Sequence, residues 1–331
     1  MNYIANPLRY DKMVYNRCGK SGLKLPAVSL GLWKNFGHDC NLDNMALMLQ
    51  TAFDLGITHF DLANNYGNPA GSAETNFGAI FNKSFKPYRD EIIISTKAGY
   101  DMWDGPYGCL NGSRKYIVAS LEQSLTRMGL DYVDIYYHHT PDDKTPLEET
   151  LLALDHCVRQ GKALYVGVSN YGTELTARTI KILRELKTPF ILNQVSYSML
   201  NRWIETEKLT DLASAEGLGL IAYSPLAQGI LTDRYFNGIP ADSRIGKGEG
   251  QWMRSPDEMM ISKMKNLSEI AAARGQTLSQ MALSWVLRDK VVSSVIIGAS
   301  RPEQILENVE AIEKTAFSSA ELLEINKILA E

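Results

Sequence analysis

The sequence predicts an α/β fold, a single (β/α)8 TIM barrel, and three observations support this prediction. Eight short runs rich in β-branched residues recur along the 331 residues, and a helical pattern follows each run. The repeat of roughly 30 to 40 residues is typical of parallel strands joined by right-handed crossovers. No G-x-G-x-x-G loop, which would indicate an open nucleotide-binding sheet, lies between a strand and a helix. Eight is also the strand number of the closed barrel.

The eight runs have the length and composition of buried strands, because β-branched and aromatic side chains pack well on a pleated surface. Their spans are "AVSLGLW" (27–33), "ITHFDLA" (57–63), "IIISTK" (92–97), "YVDIYYHH" (132–139), "ALYVGVS" (163–169), "FILNQVS" (190–196), "GLIAYS" (219–224) and "VSSVIIG" (292–298).

Helix ends are also visible in the sequence. In "TPLEETLLALDHCVRQG", Thr145 is predicted to cap the first turn and Pro146 to occupy the first helical position. Glu148 completes a capping box, and Gly161 ends the helix. The segment 113–129 begins with serine and ends with glycine, so we predict a second helix there.

Two segments do not fit a simple strand–helix repeat. "MVYNRCGKSGLKLP" (13–26) predicts a hairpin, turned between Gly19 and Gly22, that plugs the barrel floor. The connection 225–291 contains "GILTDRYFNGIPADSRIGKGEGQWMRS" and is too long for an idle connector, so we expect a lid or clamp over a ligand. No Pro-rich linker or low-complexity tract divides the chain, and one domain spanning 1–331 is expected.

Composition narrows the class of partner. The formal net charge is -4 and no block of five Lys or Arg occurs, which argues against nucleic acid and against an anionic membrane surface. No run of 18 apolar residues and no signal-peptide pattern is present, so we expect a cytoplasmic protein with a small-molecule ligand. The four cysteines, Cys18, Cys40, Cys109 and Cys157, lack the spacing of a zinc site, so reduced thiols and no metal are expected.

The carboxyl ends of the predicted strands are unusually polar, and this is where a parallel barrel forms its active site. Asp61 closes the second run, Lys97 the third and His139 the fourth, while Tyr66 stands in the loop after Asp61. We therefore predict that these four side chains meet in one catalytic site. Polar residues at the later strand ends are Ser169, Asn170, Gln194, Tyr223 and Ser224.

Asp, Tyr, Lys and His together suit the protonation of a carbonyl oxygen while hydride arrives at its carbon. Tyr66 is the proton donor in this hypothesis. A free tyrosine has a pKa of about 10, so its proton is weakly acidic at neutral pH. A lysine ammonium beside it favours the phenolate and is expected to make the phenol more acidic. Asp61 would hold Lys97 charged and aimed, and His139 would donate a hydrogen bond to the same oxygen.

Each of these residues also has a structural explanation when it is considered alone. An aspartate at a strand end is often a helix cap, and a tyrosine in a loop is often packing. Lys97 is harder to explain in this way, because burial of an unpaired lysine is costly. Adjacent side chains of a strand point to opposite faces, so at most one of His138 and His139 is expected in the site, which argues against a His–His metal pair.

The motifs that carry these residues resemble the aldo-keto reductase family, in family order and over nearly the whole chain. They are "FDLANNYG", "ISTKAGYDMW", "DIYYHHTPD", "GKALYVGVSNY", "NQVSYSMLNR", "AYSPLAQGILT" and "IIGASRPEQILENV". Within the family, "GYDMWDGPYG" and "SPLAQGILT" most resemble the branch of bacterial L-glyceraldehyde 3-phosphate reductases, which is related to voltage-gated potassium channel β subunits.

The resemblance implies NADPH, bound extended without a Rossmann domain. It also implies a catalytic tetrad of Asp61, Tyr66, Lys97 and His139, with Tyr66 as general acid. The implied cofactor residues are Ser169, Asn170 and Gln194 at the carboxamide, Tyr223 stacked on the nicotinamide ring, Ser224, Pro225, Leu226, Gln228 and Gly229 in a loop covering the pyrophosphate, and Ser300, Gln304, Glu307 and Asn308 at the adenosine end.

One segment departs from the family pattern. Many reductases of the family have a lysine in the segment occupied here by "GAS" (298–300), where it meets the 2′-phosphate. Arg301 is the available cation in this chain, and a guanidinium can form two hydrogen bonds with a phosphate. A solvated surface arginine is the alternative interpretation. We expect NADPH as cofactor rather than NADH.

The substrate pocket is expected in the loops after the first, third and fourth strands. Its candidate walls, each of which is also suited to packing a loop, are Trp33, Tyr100, Trp103 and Tyr107. An aromatic pocket with few charges favours a small aldehyde or ketone, of methylglyoxal or glyceraldehyde 3-phosphate type. A phosphorylated substrate would need a cation, for which Arg114, Lys115 and Arg202 are candidates.

Two other functions are consistent with parts of the sequence. The likeness to channel β subunits implies a regulatory subunit of a membrane protein that uses NADP(H) as a redox sensor, although the short segment before the hairpin argues against it. Lys97 could form a Schiff base in an aldolase-like barrel, but this leaves Tyr66 and the cofactor motifs unexplained. Related branches include monomers, tetramers and larger assemblies, so a homo-oligomer is among the expected forms.

Overall fold

A computed structural model describes residues 3–109, 111–241, 243, 245–248 and 255–330. The strands are β1 (Tyr15–Arg17), β2 (Lys24–Pro26), β3 (Val28–Gly31), β4 (His59–Asp61), β5 (Ile93–Ala98), β6 (Val133–His138), β7 (Ala163–Ser169), β8 (Phe190–Ser196), β9 (Gly219–Tyr223) and β10 (Val292–Ile297). The last eight close into a barrel in the order β10-β3-β4-β5-β6-β7-β8-β9, and all neighbours are parallel. The predicted barrel is confirmed, and each predicted run coincides with one barrel strand to within a few residues at its ends.

Helices follow the strands and cover the outside of the barrel. They are α1 (Leu42–Asp54), α2 (Ser72–Ile80), α3 (Arg114–Met128), α4 (Leu147–Arg159), α5 (Thr173–Glu185), α6 (Trp203–Thr206), α7 (Leu209–Glu216), α8 (Glu258–Ala273), α9 (Leu278–Leu287), α10 (Pro302–Val309) and α11 (Ser319–Ala330). The predicted ends of α3 are confirmed. Ser113 Oγ accepts a hydrogen bond from the Tyr116 amide, and Gly129 ends the helix in the left-handed conformation, with φ of 66°.

The predicted cap of α4 is wrong. The helix begins at Leu147, and Pro146 precedes it without a side-chain cap. Thr145 Oγ1 instead donates to Asp142 Oδ2 at 2.6 Å, and such a hydrogen bond to a carboxylate is stronger than one between neutral groups. Gly161, with φ of 72°, follows the helix as predicted.

Side chains along each strand alternate between the helices and the barrel interior. Phe60 faces outward, since its ring centroid lies 5.9 Å from that of Phe77 on α2. Phe60 is fully buried, and burying a side chain of this size contributes about 1.5 to 3 kcal/mol. Its neighbours His59 and Asp61 therefore point into the barrel.

The N-terminal hairpin closes the barrel floor, as predicted. β1 and β2 pair antiparallel, and the turn between them lies against Gly217, just before β9 begins. Gly19 has φ of 55°, and a Cβ there would lie 2.1 Å from the Gly217 carbonyl oxygen, so only glycine fits. Cys18 and Leu25 are fully buried. Their apolar partners are Ile135, Tyr137, Ile191, Leu192, Ile221 and Ile296.

The long connection between β9 and β10 contains 3-10 turns at Ala227–Gly229 and Asp233–Tyr235, followed by α8 and α9. Part of the predicted lid lies outside the described residues, namely 242, 244 and 249–254. In the described part of the chain no helix is long and apolar enough to cross a membrane.

The four cysteines are free thiols, and Cys18 and Cys157 are buried. Burial raises the pKa of both thiols to about 12, so they are protonated and inert. Over the described ranges, no three His, Cys, Asp or Glu side chains are grouped as a metal ion would require.

Candidate active site

A large cleft opens at the carboxyl ends of the barrel strands, where the sequence predicts a site. Its volume is about 1950 Å³. Residues at or near the ends of five strands line it: Gly31, Asp61, Ser169, Gln194 and Tyr223. The cleft collects the polar strand ends because parallel strands all finish at the same rim of the barrel.

Asp61 and Lys97 form a buried ion pair at the bottom of this cleft. Lys97 Nζ lies 2.6 Å from Asp61 Oδ2 and also donates to the Leu62 carbonyl oxygen at 2.7 Å. The side chain of Lys97 is fully buried, and that of Asp61 is 3% exposed. Burial lowers the pKa of Lys97, while the Asp61 carboxylate opposes this shift and holds the ammonium charged.

Tyr66 lies over the ion pair. Its Oη is 3.4 Å from Lys97 Nζ, which is 4.8 Å from the centroid of the phenol ring. Burial, assisted by the negative charge of Asp61, raises the pKa of Tyr66 well above its usual value. The prediction that this phenol is more acidic than a free tyrosine is therefore wrong. Asp61, which is closer to the ammonium than Tyr66 is, offsets part of the lysine charge, so burial outweighs the stabilisation of the phenolate by Lys97 and Tyr66 keeps its proton.

His139 stands beside Tyr66, with their ring centroids 5.8 Å apart. Burial, together with the Lys97 charge, lowers the pKa of His139 well below its usual value, so the ring is neutral. Its Nδ1 is buried and has no hydrogen-bond partner among the described residues. Nε2 is not among the buried atoms that lack a partner, so it is the nitrogen suited to donate to a bound molecule. His138 points to the other face of the strand and does not line the cleft, as predicted.

The residues predicted at the nicotinamide all line the cleft: Ser169, Asn170, Gln194 and Tyr223. Gln194 Nε2 donates to Asp61 Oδ1 at 3.0 Å. Tyr223 Oη donates to Asn170 Oδ1 at 2.8 Å, and Asn170 Nδ2 donates to the His139 carbonyl oxygen at 3.1 Å. These hydrogen bonds connect the predicted cofactor residues directly to Asp61 and His139.

The predicted pyrophosphate loop also lines the cleft, through Ser224, Pro225, Leu226, Gln228 and Gly229. Three non-glycine residues here are left-handed: φ is 53° at Ser224, 46° at Ala227 and 59° at Gln228. Such strain costs energy and clusters at ligand sites. Successive amides in this kind of turn form a concave cradle for anions, which fits a phosphate group.

The residues predicted at the adenosine end also line the cleft: Ser300, Arg301, Gln304, Glu307 and Asn308. Ser300 N donates to Gln304 Oε1 at 2.8 Å, which fixes the start of α10. Arg301 Nε is 3.8 Å from Glu303 Oε2, and both side chains are mostly exposed. A pair this long and this exposed is weak, so the guanidinium is available for a stronger anion.

Two of the predicted substrate walls lie next to the tetrad. The Trp33 ring centroid is 6.3 Å from that of Tyr66, and the Tyr100 ring centroid is 4.6 Å from that of His139. Both line the cleft and are partly exposed. They therefore form an aromatic part of the cleft wall beside the phenol and the imidazole.

The structure does not bring the other two predicted walls, Trp103 and Tyr107, to the cleft. The Trp103 ring stacks on Tyr116 of α3, with a centroid distance of 5.1 Å. Tyr107 is 57% exposed, and the Lys115 ammonium lies 5.2 Å from its ring. The loop after β5 folds onto the start of α3, so these aromatics pack a loop.

None of the cations predicted for a substrate phosphate lines the cleft: Arg114, Lys115 and Arg202. Arg202, for example, lies over the Trp285 ring at 4.4 Å. Lys34 lines the cleft instead, with its ammonium 5.2 Å from the centroid of the Trp33 ring. Sequence reasoning missed Lys34, although it directly follows a predicted wall residue.

Sequence reasoning also missed Ser95 and His59, which lie behind Asp61. Ser95 Oγ donates to Asp61 Oδ1 at 2.7 Å, and His59 Nε2 is 2.9 Å from Ser95 Oγ. The sequence does contain a signal that indicates both residues. His59 lies two residues before Asp61 and Ser95 two before Lys97, which places them on the inward faces of the same strands.

The chain is similar to known proteins. A model of the aldo/keto reductase family matches residues 27–330. The chain belongs to this family. It is therefore an oxidoreductase that acts on aldehyde or ketone groups, and the family works with a nicotinamide dinucleotide, NADH or NADPH.

Individual relatives cover the whole chain. The reductase is 55% identical to a protein of Escherichia coli strain K12 named L-glyceraldehyde 3-phosphate reductase, over 100% of this chain and 96% of the relative. It is 54% identical to a protein of the same name from Escherichia coli O157:H7, over the same shares. Among solved structures it matches the holo form of an aldo-keto reductase from Bacillus halodurans, with a TM-score of 0.78, 25% identity and 96% of both chains covered.

Proposed function

We propose that this reductase transfers hydride from NADPH to the carbonyl carbon of small aldehydes, with glyceraldehyde 3-phosphate as the preferred substrate, and that Tyr66 supplies the proton. The observation that carries the proposal is the position of the Tyr66 phenol in the cleft, with its Oη 3.4 Å from Nζ of the buried Lys97. The two relatives named for this reaction, each identical at more than half of the aligned positions, support the substrate.

The bound cofactor supplies the hydride, and residues of the chain donate the proton and stabilise the charges that its transfer creates. Tyr66 gives its phenolic proton to the carbonyl oxygen as negative charge develops there. An alkoxide is a much stronger base than a phenolate, so this transfer is favourable even for a phenol with a raised pKa. Lys97 then stabilises the phenolate that remains, and neutral His139 donates from Nε2 to the substrate oxygen and orients the carbonyl.

The cleft fits an extended dinucleotide. Its lining includes Asp61, Tyr66 and His139 of the tetrad, the strained turn at 224–229 and residues at the start of α10. The residues that would hold it are Ser169, Asn170, Gln194 and Tyr223 at the nicotinamide, Ser224, Pro225, Leu226, Gln228 and Gly229 at the pyrophosphate, and Ser300, Arg301, Gln304, Glu307 and Asn308 at the adenosine end.

Arg301→Ala is expected to weaken NADPH binding about 10- to 100-fold, which is the effect of losing a hydrogen bond between charged groups. NADH has no 2′-phosphate, so its Kd should not change. Fluorescence titration with both cofactors measures this, and Arg17→Ala, in the hairpin at the opposite end of the barrel, is the control. Equal weakening of both cofactors would show that Arg301 does not read the 2′-phosphate.

The substrate phosphate requires a cation near the tetrad, and Lys34 is in the right place. It adjoins Trp33, whose ring lies beside Tyr66. The other cations among the described lining residues, Arg234, Lys247 and Arg301, belong to the long connection or to the start of α10. We therefore assign the phosphate to Lys34.

Lys34→Met is expected to raise the KM for glyceraldehyde 3-phosphate about tenfold, because one charge-assisted contact is lost. Unphosphorylated glyceraldehyde makes no such contact, so its kcat/KM should stay unchanged. Steady-state kinetics on both substrates test this, with Lys24→Met on the floor hairpin as the matched control. A parallel loss on both substrates would contradict the assignment.

The position of Lys97 argues against a Schiff-base mechanism. A nucleophilic amine must be neutral and reach the carbonyl carbon. Lys97 is fully buried, and its hydrogen bonds to Asp61 and to the Leu62 carbonyl oxygen hold it in place as an ammonium ion. Tyr66, and not Lys97, lines the cleft that a substrate would enter.

Oxidation of NADPH with a panel of aldehydes tests the proposed function. The panel contains glyceraldehyde 3-phosphate, glyceraldehyde, methylglyoxal and nitrobenzaldehyde. We expect turnover, with the highest kcat/KM for glyceraldehyde 3-phosphate. Tight NADPH binding without turnover on any of the four would overturn the proposal and favour a redox-sensing subunit.

A further inference from the structure

A chain of hydrogen bonds runs through the barrel interior and ends at the tetrad. It joins, in order, Ser294, Ser29, His59, Ser95 and Asp61. The two hydroxyls of Ser294 and Ser29 are 2.6 Å apart, and Ser29 Oγ is 2.9 Å from His59 Nδ1. His59 Nε2 is 2.9 Å from Ser95 Oγ, which lies 2.7 Å from Asp61 Oδ1. Four of these residues are fully buried, and Asp61 is 2% exposed.

The barrel geometry places these side chains together. His59 and Asp61 share the inward face of β4, and Ser95 and Lys97 share the inward face of β5. The register of the two strands sets Asp61 directly opposite Ser95. Ser29 on β3 and Ser294 on β10 extend the same polar layer to the two strands on the other side of β4. The chain therefore crosses four adjacent strands.

The carboxylate sets the direction of every hydrogen bond in the chain. Asp61 is an acceptor, so the Ser95 hydroxyl must donate to it and can only accept from His59 Nε2. His59 then carries its proton on Nε2 and accepts at Nδ1 from Ser29, which in turn accepts from Ser294. Burial lowers the pKa of His59 to about 4, with the Lys97 charge helping and the Asp61 charge opposing, so the ring is neutral.

The result at Asp61 is a carboxylate fixed by three side chains. Ser95 and Gln194 donate to Oδ1, and Lys97 donates to Oδ2. If the donor from Ser95 is lost, the carboxylate can rotate and take the ammonium with it. The Lys97 ammonium would then no longer point at Tyr66. The distance from Lys97 Nζ to Tyr66 Oη is 3.4 Å, which is already long for a hydrogen bond, so a small rotation would break this contact.

We propose that His59 is a positioning residue of the reductase: its neutral imidazole holds the Ser95 hydroxyl towards Asp61 and so aims the Lys97 ammonium at Tyr66. The inference rests on the proposed function of the tetrad. An apolar side chain would fill this part of the interior as well, as it does at Ile135, Ile191 and Ile221. A fully connected polar chain is costly to bury and imposes one arrangement on its members, which suits a site that needs fixed geometry.

Kinetics of Ser95→Ala, His59→Leu and the double variant test the proposal. Each single variant is expected to lower kcat about 10- to 100-fold, as removal of an outer support of a functional group does, with KM and NADPH affinity unchanged. Both act through the same contact on Asp61, so the double variant should lose no more than the worse single variant. His59→Gln keeps one donor and one acceptor and should recover part of the kcat that His59→Leu loses.

The pH profile separates positioning from a general effect on the core. A misaimed ammonium favours the phenolate less, so the basic limb of kcat should move to higher pH in Ser95→Ala and His59→Leu. Tyr136→Phe removes another fully buried hydrogen bond, from Tyr136 Oη to the Ile117 carbonyl oxygen, and serves as the control. Folded variants with wild-type kcat and profile, or the same changes in Tyr136→Phe, would overturn the proposal.

The tautomer of His59 gives a test that needs no turnover. With 15N-labelled histidine, the signals of His59 are identified among the five histidines by their loss in His59→Gln. We expect a neutral ring with the proton on Nε2. A proton on Nδ1 would overturn the proposal, because Nε2 could not then donate to Ser95. Absence of wild-type turnover would instead refute the proposed function, and the tautomer would still decide the structural basis of the inference.

Discussion

Tyr66→Phe is expected to lower kcat about 100- to 10,000-fold, the range that a positioned proton donor contributes. The ring remains, so the packing against Trp33 and His139 should persist. Only the proton delivered in the transition state is lost, and NADPH affinity should therefore be unchanged. Steady-state turnover and fluorescence titration of NADPH measure the two quantities.

Tyr132→Phe is the matched control for this substitution, because Tyr132 precedes β6 at the opposite end of the barrel. It should keep wild-type kcat. If Tyr66→Phe kept more than about a tenth of the turnover, another group would be the proton donor, since an effect that small is below the range for general acids. His139 would then be the first alternative.

Substitutions in the Asp61–Lys97 pair are expected to affect stability and turnover differently. Asp61→Asn leaves the lysine as an unpaired buried charge, and Lys97→Met leaves the carboxylate without its cation. Breaking a buried pair by removing one partner typically costs about 3 to 5 kcal/mol of the free energy of unfolding. Each single variant should therefore lose about that much in urea unfolding, and both should lose nearly all turnover.

The double variant Asp61→Asn/Lys97→Met removes both charges, so we expect it to recover much of the lost stability while its turnover stays absent. A double variant as unstable as the sum of the singles would show that the two side chains do not interact as the 2.6 Å distance indicates. Recovered turnover in the double variant would show that the ammonium is not needed by Tyr66.

The barrel could be predicted from the sequence because its signals are local and repeated. β-branched runs and helix ends recur at short range, and parallel strands then bring their carboxyl ends together by necessity. The meeting of Asp61, Lys97 and His139 follows from this rule alone. Tyr66 is close to them because it lies only five residues after Asp61.

Features that depend on loop conformation or on competition between neighbours could not be predicted. Trp103 and Tyr107 were reasonable walls by position, but the loop after β5 turns them towards α3. Thr145 has the sequence pattern of a helix cap, but its hydroxyl donates a hydrogen bond to the nearby Asp142 instead. Such outcomes depend on distances between segments, which the pattern of residues does not contain.

The direction of the pKa shift of Tyr66 also could not be predicted from the sequence. From the sequence, Lys97 is a cation beside a phenol, and the expected effect is a lower pKa. In the structure Asp61 offsets part of the lysine charge, and burial of the phenol outweighs what remains of its effect. The sign of such a shift depends on burial and on two competing distances, which only the folded chain defines.

The most direct test of the central claim is the fate of the hydride. NADPH carrying deuterium at both hydrogen positions of C4 of the nicotinamide is incubated with the wild-type protein and glyceraldehyde 3-phosphate, and the alcohol product is examined by mass spectrometry and NMR. We expect one deuterium on the carbon that was the carbonyl carbon. An alcohol without deuterium at that carbon, or no alcohol at all, would contradict hydride transfer in this cleft.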